Sequence, residues 1–383
     1  MANDKDFIVK NAVEVGKDTK VTLGTITSSN IDLSTGNYFS DTLTANTTYT
    51  FSNAGAVQSF QVEVTGATVY TNNWDLAYAS HSQNFSISSQ STDATGLFFK
   101  PDGTKMFVLE DNIGTETVFA YTLSTAWDIS TASYGSENFS VGSNDSQPSD
   151  LFFKPDGTKM FIAGNGGNVV LEYALSTAWD VSTASLTSSD SVSSQESTPR
   201  GLTFKTDGTK MYIVGFFSNT VFAYDLGTAW DVSTKSYNSE SFSVATQETQ
   251  PESLFFKPDG TKMFVVGSIG DDVNEYSLST AWDVSTASYV QNFSVSSQQT
   301  APTGIFFKSD GDRMYIVGTT SAQVSQYNIG SSADATFTWP TSIEWAGSVA
   351  PAAPASGETD LFTISTDDGG TTYHGFKTAD NLS

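Results

Sequence analysis

The stretch FKPDGTKM, from Phe99 to Met106, decides the fold, because it recurs with small changes at four further places in the chain. The five copies are Phe99–Met106, Phe153–Met160, Phe204–Met211, Phe256–Met263 and Phe307–Met314. A Trp-Asp pair also occurs five times, out of step with these copies, at Trp74-Asp75, Trp127-Asp128, Trp179-Asp180, Trp230-Asp231 and Trp282-Asp283. Both series recur about every 52 residues, a period that is typical of solenoids and propellers.

The offset between the two series predicts a closed ring. The Trp-Asp series starts before the first FKPDGTKM copy and ends before the last one, so the array begins and ends within a module. In a ring, the first and last strands then complete one shared blade. The segment near Phe85-Ser86-Ile87-Ser88 is therefore predicted to be the outer strand of the last blade, which leaves only short sheet edges unpaired.

A single module, from Pro251 to Ser297, predicts four antiparallel strands. They are expected at Leu254–Lys257, Lys262–Val266, Val273–Leu278 and Tyr289–Val295. Pro258-Asp259-Gly260 makes the turn between the first two, where Pro presets φ and Gly takes a positive φ. Because the module has no helical period, it predicts a four-stranded propeller blade, and five modules predict five blades.

Composition limits the classes of function. The chain has 383 residues with a formal net charge of −25, which opposes binding to nucleic acid and to anionic membranes. It contains no cysteine, so neither a disulfide framework nor a thiolate metal site is available. The first residues lack the apolar segment of a signal peptide, and no run is long enough to span a membrane. We expect no membrane insertion and no cofactor.

The two flanks of the repeat array predict a second, smaller domain. Short strands are expected at Tyr38-Phe39, Thr48–Phe51, Phe60–Val64, Ala335–Trp339, Ile343–Trp345, Asp360–Ile364 and Thr372–Phe376. Neither flank alone has enough strands for a stable sandwich. The prediction is therefore an attachment arm at residues 1–30, a discontinuous β-sandwich of residues 31–66 and 334–383, and a five-bladed propeller of residues 67–333 inserted in a sandwich loop.

Several strings of the flanks and of the modules resemble known proteins. The flanks are similar to a β-domain of virion and tail-fibre-like proteins of marine bacteriophages, and Leu278–Ser288 resembles a repeat of phage and secreted bacterial proteins. The strings similar to the β-domain are Ile31–Asn37, Phe60–Gly66, Trp339–Trp345 and Gly369–Phe376, and Asp6–Asn11 is similar to the openings of such fibre proteins. The resemblance implies a non-enzymatic virion structural protein, of the tail-fibre or capsid-decoration kind, which displays its propeller for recognition of a host-surface glycan or protein.

The same resemblance implies partners and a location. The partners are other virion proteins, and the chain is expected to form a homo-oligomer that assembles in the host cytoplasm without a signal peptide. Two alternatives stay open at this point. One is a bacterial surface lectin or adhesin, and the other is a polysaccharide-cleaving propeller enzyme.

Candidate ligand-binding residues come from what differs among the modules. Asp150, Arg200 and Glu252 precede the first strands of three blades and are predicted to converge at the mouth of the central channel. They admit three interpretations: a salt bridge on the rim, a cation such as calcium held by Asp150 and Glu252, or the carboxyl pair of a glycosidase, which needs a separation of about 5 to 9.5 Å.

Aromatic residues supply the other candidates. Phe216-Phe217 stands out in otherwise polar loops and is either a ligand or interface platform or a packing contact with a neighbouring blade. The repeated Trp-Asp pairs are expected to pack between blades and cap a loop; the alternative is five weak sugar sites that act together. The repeated turn aspartates and Asp271-Asp272 are interpreted as turn residues rather than metal ligands.

Overall fold

A computed structural model of the protein describes residues 23–24, 26–43, 45–71, 73–112 and 114–382. The chain divides into two compact units: residues 72–330 form one, and residues 1–71 together with 331–383 form the other. Both are built from β-strands, and the helical segments of the described residues are short 3-10 turns. Residues 1–22 of the predicted attachment arm lie outside the described residues.

The unit of residues 72–330 contains, within the described residues, five four-stranded antiparallel sheets. Sheet 1 is Ala94–Phe99, Lys105–Glu110, Thr117–Leu123 and Ala132–Ser140. Sheet 2 is Pro148–Phe153, Lys159–Gly164, Val169–Leu175 and Ala184–Ser191. Sheet 3 is Pro199–Phe204, Lys210–Gly215, Thr220–Leu226 and Lys235–Ser243. Sheet 4 is Pro251–Phe256, Lys262–Gly267, Asp272–Leu278 and Ala287–Ser294.

Sheet 5 joins the two ends of this unit. Its first three strands are Pro302–Phe307, Arg313–Gly318 and Gln323–Asn328, and its outer strand is Ser80–Ser86. Gln323 pairs with Ser86 and Asn328 with Ser80, as the phase of the two repeat series predicts. The first strand of each sheet also contacts that of the next, and the first strand of sheet 5 contacts that of sheet 1. This arrangement is consistent with a β-propeller.

Neighbouring sheets are held together by repeated aromatic contacts. In each case a ring from the second strand of one sheet packs on the last residue of the first strand of the next. The pairs, with centroid distances, are Phe107–Phe153 at 4.4 Å, Phe161–Phe204 at 4.5 Å, Tyr212–Phe256 at 4.6 Å, Phe264–Phe307 at 4.4 Å and Tyr315–Phe99 at 4.3 Å. Such contacts add to the burial of apolar area, so the repeated residues themselves join each sheet to the next.

One end of the five sheets, here called the Trp face, consists of the Asp-Gly turns and the Trp-Asp loops. In sheet 2, Gly157 has φ +74°, and a Cβ atom there would overlap the indole ring of Trp179. The indole therefore needs a glycine beneath it. The backbone of Trp179 is also in the left-handed region, with φ 65°, and its N–H group donates to Gly157 O at 3.0 Å. Asp180 then caps the 3-10 turn Val181–Thr183 by accepting from Ser182 N.

The same short turn follows each Trp-Asp pair. The turns are Leu76–Tyr78, Ile129–Thr131, Val181–Thr183, Val232–Thr234 and Val284–Thr286, and each begins after an aspartate that accepts a backbone hydrogen bond. This confirms the sequence-based interpretation that the Trp-Asp pairs pack and cap, since an aspartate in this position satisfies an otherwise unpaired N–H group.

The second unit joins strands from both flanks in one sheet. Its five-stranded sheet has the order Tyr38–Thr42, Gln58–Thr65, Thr359–Thr366, Tyr373–Ala379 and Ile343–Trp345. Thr65 pairs with Thr359 and Gln58 with Thr366 in an antiparallel ladder. The strands Ile26–Thr27, Asn30–Asp32 and Thr50–Ser52 form a three-stranded sheet. Two pairs complete the described part, Thr47–Thr48 with Phe337–Thr338 and Thr68–Thr71 with Ser331–Asp334.

The core of this unit is also shared between the flanks. Phe39, Phe60 and Tyr49 from the N-terminal flank pack with Trp339 and Phe362 from the C-terminal flank. One predicted strand needs correction: Thr48–Phe51 is not continuous, because Thr47–Thr48 and Thr50–Ser52 belong to different sheets. The chain changes its partner at Tyr49, whose buried ring stacks on Trp339 at 5.1 Å.

Candidate functional site

The end of the sheets opposite the Trp face, here called the mouth face, is shaped by a β-bulge in the first strands. In sheet 2, Pro148 pairs with Gly164 and Asp150 with Ala163, so Ser149 is the extra residue. The same irregularity isolates Arg200 in sheet 3 and Glu252 in sheet 4. A bulge turns the side chain of its extra residue out of the regular ladder. The five bulge residues, Thr95, Ser149, Arg200, Glu252 and Thr303, form a set here called the bulge ring.

Hydroxyl groups of the bulge ring link one sheet to the next. Thr95 Oγ1 donates to Pro148 O at 3.0 Å, and Ser149 Oγ donates to Pro199 O at 2.9 Å. Thr303 Oγ1 closes the series by donating to Ala94 O at 2.6 Å. These bonds join sheet 1 to 2, sheet 2 to 3 and sheet 5 to 1. Sheets 3 and 4 carry charged residues at these positions instead.

Arg200 and Glu252 form an ion pair across sheets 3 and 4. Arg200 Nε lies 3.6 Å from Glu252 Oε2, and the Arg200 side chain is 29% exposed. Ser268 Oγ, in the loop after the second strand of sheet 4, donates to Glu252 Oε1 at 3.1 Å. Burial raises the pKa of Glu252, while the charge of Arg200 and the bond from Ser268 oppose that rise. The structure thus brings together two of the three predicted charged residues, as a rim salt bridge.

Asp150 does not join this pair, which corrects the predicted convergence of three charges. It occupies the position after the bulge, in register with Gly96, Gly201, Ser253 and Gly304. Its carboxylate is buried and accepts from Leu151 N, Leu202 N and Ser253 Oγ, each at 2.9 Å. The bonds therefore tie sheets 2, 3 and 4 together near the axis.

Burial without a cationic partner dominates the electrostatics of Asp150. Desolvation raises the pKa of Asp150 to about 8, although the three donors favour the charged form. Within the described part of the chain, no group of three or more His, Cys, Asp or Glu side chains is arranged to hold a metal ion. The described residues around Asp150 and Glu252 therefore do not include a cluster of this kind for the predicted cation.

The axial space beneath Asp150 is narrow and lined mainly by apolar side chains, among them Leu97, Leu151 and Leu254. Phe98 packs against Phe152 at 5.2 Å and against Phe306 at 5.1 Å, and Phe255 meets Phe306 at 5.3 Å. Sheet 3 contributes Thr203 to this lining instead of an aromatic residue. Side chains largely fill the space, so the outer surface of the mouth face offers more room for a ligand than the axis does.

Phe216 and Phe217 lie in the loop after the second strand of sheet 3 and are 39% and 76% exposed. This exposure favours the platform interpretation of the pair over packing against a neighbouring sheet. The loop is fixed from below: Phe216 N donates to Thr198 O at 3.1 Å, and Phe217 N donates to Thr198 Oγ1 at 2.8 Å. The buried carboxylate of Glu196 accepts from Ser218 N at 3.2 Å.

The corresponding loop of sheet 4 carries Ile269, which the sequence analysis missed. Counting from Gly215 and Gly267, the last residues of the second strands, Ile269 takes the place of Phe217, and it is 61% exposed. Its loop is anchored in the same way, since Glu248 accepts from Gly270 N at 3.1 Å. Aligning the five loops from the last residue of each second strand would have revealed the second apolar tip. These residues are Glu110, Gly164, Gly215, Gly267 and Gly318.

The part of the mouth face near sheets 1 and 2 is acidic. Burial raises the pKa of Asp111 to about 7, and the charges of Asp93, Glu116 and Asp145 push it in the same direction. Arg200 opposes them. Together with Asp111, these carboxyl groups make this part of the surface negative, which disfavours the approach of a further anion.

The other aspartates singled out in the sequence have structural explanations. Asp272 accepts side-chain amide bonds from Asn274 and Asn292, and Asp271 has a positive φ of 48° at the end of its loop. In the Trp-face turn of sheet 2, Asp156 accepts from Thr158 N at 3.0 Å and from Lys154 Nζ at 2.7 Å. Although burial opposes it, these bonds lower the pKa of Asp156 to about 2.

The contacts of the indoles disfavour the alternative of five sugar sites on the Trp-Asp pairs. Each indole covers the glycine of its own turn. The opposite side is also occupied; Trp230, for example, stacks on Phe152 at 6.1 Å and is buried. A sugar ring needs a free aromatic face, and these contacts occupy both faces of Trp230.

Comparison with known proteins relates the chain to propeller-like structures. No protein-family model matches the sequence, and no curated protein matches it. Among solved structures, a 6-phosphogluconolactonase-like protein of Bacteroides uniformis is 13% identical, covers 63% of this chain and 70% of its own, with a TM-score of 0.40. The periplasmic gluconolactonase of Pseudomonas aeruginosa is 16% identical over 63% and 70% of the two chains, with a TM-score of 0.39.

A third similar structure is the β-propeller domain of Cps50 from Myceliophthora thermophila. It is 8% identical, covers 66% of this chain and 99% of its own, and has a TM-score of 0.38. At such identities the activities of these proteins do not transfer to this chain. In the described ranges, helices are too short to cross a membrane.

Proposed function

We propose that this chain is a non-enzymatic structural protein of a bacteriophage virion, of the tail-fibre or capsid-decoration kind. In this proposal the five sheets are the blades of a five-bladed propeller, inserted in a loop of a small β-sandwich made from both flanks. The sandwich and the N-terminal arm attach the chain to other virion proteins, as a homo-oligomer. The propeller is displayed for recognition of a host-surface glycan or protein.

Two observations support the architecture in this proposal. The outer strand Ser80–Ser86 and the inner strands of sheet 5 come from opposite ends of the repeat array, and their pairing closes the set of sheets. Gln58–Thr65 and Thr359–Thr366, which flank the array in sequence, pair in one sheet. An insertion whose ends lie close together is tolerated in a surface loop.

The contrast between the two faces of the sheets carries the functional part. Trp, Gly and capping Asp recur in every module of the Trp face, whereas the bulge ring and the loop tips of the mouth face differ from sheet to sheet. A recognition protein needs such a constant frame with one variable surface, because variable loops on a rigid scaffold supply specificity. The resemblance of the flanks to phage virion proteins supports a place for this surface on a virion.

The state of the acidic residues favours recognition over catalysis. Asp150 accepts three hydrogen bonds in a buried position, and Glu252 is paired with Arg200. A glycosidase needs one carboxyl group free to donate a proton and a second free to attack or to activate water. Neither of these two carboxyl groups is placed for such work.

The proposal is tested by asking whether the chain is part of a particle. Particles produced by cells that express the gene are purified through a density gradient, and their proteins are identified by mass spectrometry. We expect the chain to co-purify with the particles at a fixed ratio to the major capsid protein, and to stay bound after a high-salt wash. Recovery only in the particle-free fraction would refute the virion role.

A further inference from the structure

The part of the mouth face that belongs to sheets 3 and 4 combines features that occur together nowhere else on the described mouth face. It has two exposed apolar loop tips, Phe217 and Ile269, and the ion pair of Arg200 and Glu252. Phe216 lies next to Phe217 and is partly exposed. These five residues are here called the aromatic sector.

Hydrogen bonds connect the loops that carry the apolar tips with the segments that carry the Arg200–Glu252 ion pair. The Phe loop rests on Thr198, which is two residues before Arg200. The Ile269 loop contributes Ser268, whose hydroxyl donates to Glu252 at 3.1 Å. With its amide oriented to satisfy both neighbours, Asn219 donates to Phe216 O at 2.9 Å and to Thr249 O, in the segment before sheet 4, at 2.8 Å. The loop tips and the ion pair are thus parts of one bonded surface.

We propose that the aromatic sector binds a neutral glycan. A sugar ring stacks its C–H face on Phe217, and its hydroxyl groups bond to Arg200 and Glu252. This rests on the proposed function of host-surface recognition and names the class of ligand for it.

The unused bonding capacity of the ion pair supports a polar ligand. Arg200 Nε is buried and faces Glu252, so a ligand cannot reach that atom, whereas the Arg200 side chain as a whole is 29% exposed. At 3.6 Å its contact with Glu252 is an ion pair rather than a hydrogen bond. A guanidinium group has five N–H donors, so Arg200 can serve sugar hydroxyls that also donate to the Glu252 carboxylate.

The size of the apolar surface favours a sugar over a protein partner. A stable protein interface buries about 800 Å² on each side, around an apolar centre. The aromatic sector offers three apolar side chains at the tips of otherwise polar loops. One sugar ring needs a single aromatic face and a few hydrogen bonds. The loops are fixed by Thr198, Glu196 and Glu248, which lowers the ordering cost of binding.

Charge decides between neutral and acidic glycans. The chain has a formal net charge of −25, and Asp111, which lies among Asp93, Glu116 and Asp145, is close enough to Arg200 for the two charges to interact. Uronic acids would have to approach Asp93, Asp111 and Glu116 in addition to Glu252. A neutral sugar avoids this repulsion.

The test is isothermal titration calorimetry of the full chain with defined probes. The neutral probes are cellohexaose, mannohexaose and N-acetylchitohexaose; the acidic probe is a hexamer of galacturonic acid; and phosphatidylcholine vesicles test for insertion of the loop tips into lipid. We expect at least one neutral probe to bind, with at least tenfold weaker binding for the galacturonic acid hexamer and none to vesicles.

Matched variants assign the binding to the aromatic sector. Phe217→Ala should weaken binding of the neutral probe at least tenfold, and Phe217→Trp should restore it. Leu186→Ala removes another exposed apolar side chain, 42% exposed, from the outer strand of sheet 2, and it should change binding less than twofold. Circular dichroism checks that all three variants are folded.

Three outcomes would overturn the inference: no binding of any neutral probe at millimolar concentration, tighter binding of the galacturonic acid hexamer or of vesicles, or equal effects of Phe217→Ala and Leu186→Ala. Failure here is distinct from failure of the virion role, because the particle measurement does not depend on any sugar. A chain found in particles that binds no neutral glycan would keep the virion role and lose this site.

Discussion

The Trp face and the mouth face are the two ends of the same five sheets, yet they are built by opposite rules. In every module of the Trp face, an indole ring covers a glycine, and an aspartate caps the start of a short 3-10 turn. On the mouth face the bulge ring changes from Thr and Ser to Arg and Glu. The residues two positions after the second strands also differ: they are Asn112, Gly166, Phe217, Ile269 and Thr320. Identical residues hold the sheets together, and differing residues are free to face a ligand.

The comparison also separates two kinds of charged residue. Trp-face aspartates are satisfied locally by the backbone of their own turn, as Asp156 is by Thr158. On the mouth face Arg200 and Glu252 form an ion pair that links two sheets. Removing a residue of the first kind should cost stability, whereas exposed residues of the mouth face should be removable without that cost.

The largest expected effect comes from truncating one aromatic residue on each face. Trp230→Ala removes a buried indole that packs on Phe152 and Phe204, and it should lower the free energy of unfolding by about 3–5 kcal/mol. Phe217→Ala removes an exposed ring and should change stability by less than about 0.5 kcal/mol. Urea denaturation followed by circular dichroism measures both. Equal losses in the free energy of unfolding for the two variants would contradict the distinction between the faces.

The buried carboxyl group of Asp150 predicts how stability depends on pH. Its pKa is about 8 in the folded chain and about 3.9 in an unfolded one, so the folded state holds a proton that the unfolded state has lost. Stability from this group is therefore complete below about pH 4 and falls as pH rises towards 8, by up to about 1.4 kcal/mol per pH unit. Asp150→Asn should remove this part of the slope between pH 5 and pH 8.

A second aspartate serves as the control for this slope. Asp156 has a pKa of about 2 in the folded chain, so it is charged in both states throughout the same pH range. Asp156→Asn should leave the slope of the free energy of unfolding parallel to that of the parent chain. If Asp150→Asn also gives a parallel slope, Asp150 does not hold the proton assigned to it.

Two glycines with a positive φ test the role of the indole contact. Gly157→Ala should cost about 1–2 kcal/mol for the left-handed backbone and about 1–3 kcal/mol more for the overlap with Trp179. Gly114, in the mouth-face loop of sheet 1, has φ +86°, and a Cβ atom added there would meet no described atom within 4 Å. Gly114→Ala should therefore show the backbone cost alone. If both variants lower the unfolding temperature by the same amount, the overlap with the indole does not contribute to the cost.

The smallest expected effect concerns the caps of the Trp face. Asp231 accepts from Ser233 N at 3.1 Å and begins the turn Val232–Thr234, so Asp231→Ala should cost about 1 kcal/mol. Asp225, in the third strand of the same sheet, is exposed and lies 3.6 Å from Lys210. Asp225→Ala should cost less than about 0.5 kcal/mol. A larger loss at Asp225 than at Asp231 in denaturant titrations would contradict the capping role.

Much of the frame could be predicted from the sequence, because periodic residues serve the scaffold. The spacing of the FKPDGTKM copies marked the first two strands of each sheet, and the phase of the Trp-Asp pairs pointed to the closing strand near Phe85. The pairing of the two flanks followed from the need of short strands for partners. These inferences depend on local pattern and on counting strands, which a sequence shows directly.

The site was only partly predictable, because it depends on register. Asp150, Arg200 and Glu252 were predicted to precede the first strands and to converge at the channel mouth, but all three lie within those strands. Arg200 and Glu252 are bulge residues, whereas Asp150 lies one position after the bulge of its strand. Turn residues do not indicate a bulge of this kind. Ile269 was missed because a single aliphatic residue in a polar loop carries no signal until the loops are superimposed. The exposure of Phe217 likewise needed the fold.

The measurement that tests the central claim most directly is a cryo-electron reconstruction of the particle that contains this chain. The account predicts density for a five-bladed ring attached to the capsid or tail, with the loop of Phe216 and Phe217 exposed to solvent. Particles that lack this density, or a reconstruction in which that loop is buried against another virion protein, would contradict the claim that the mouth face is the recognition surface.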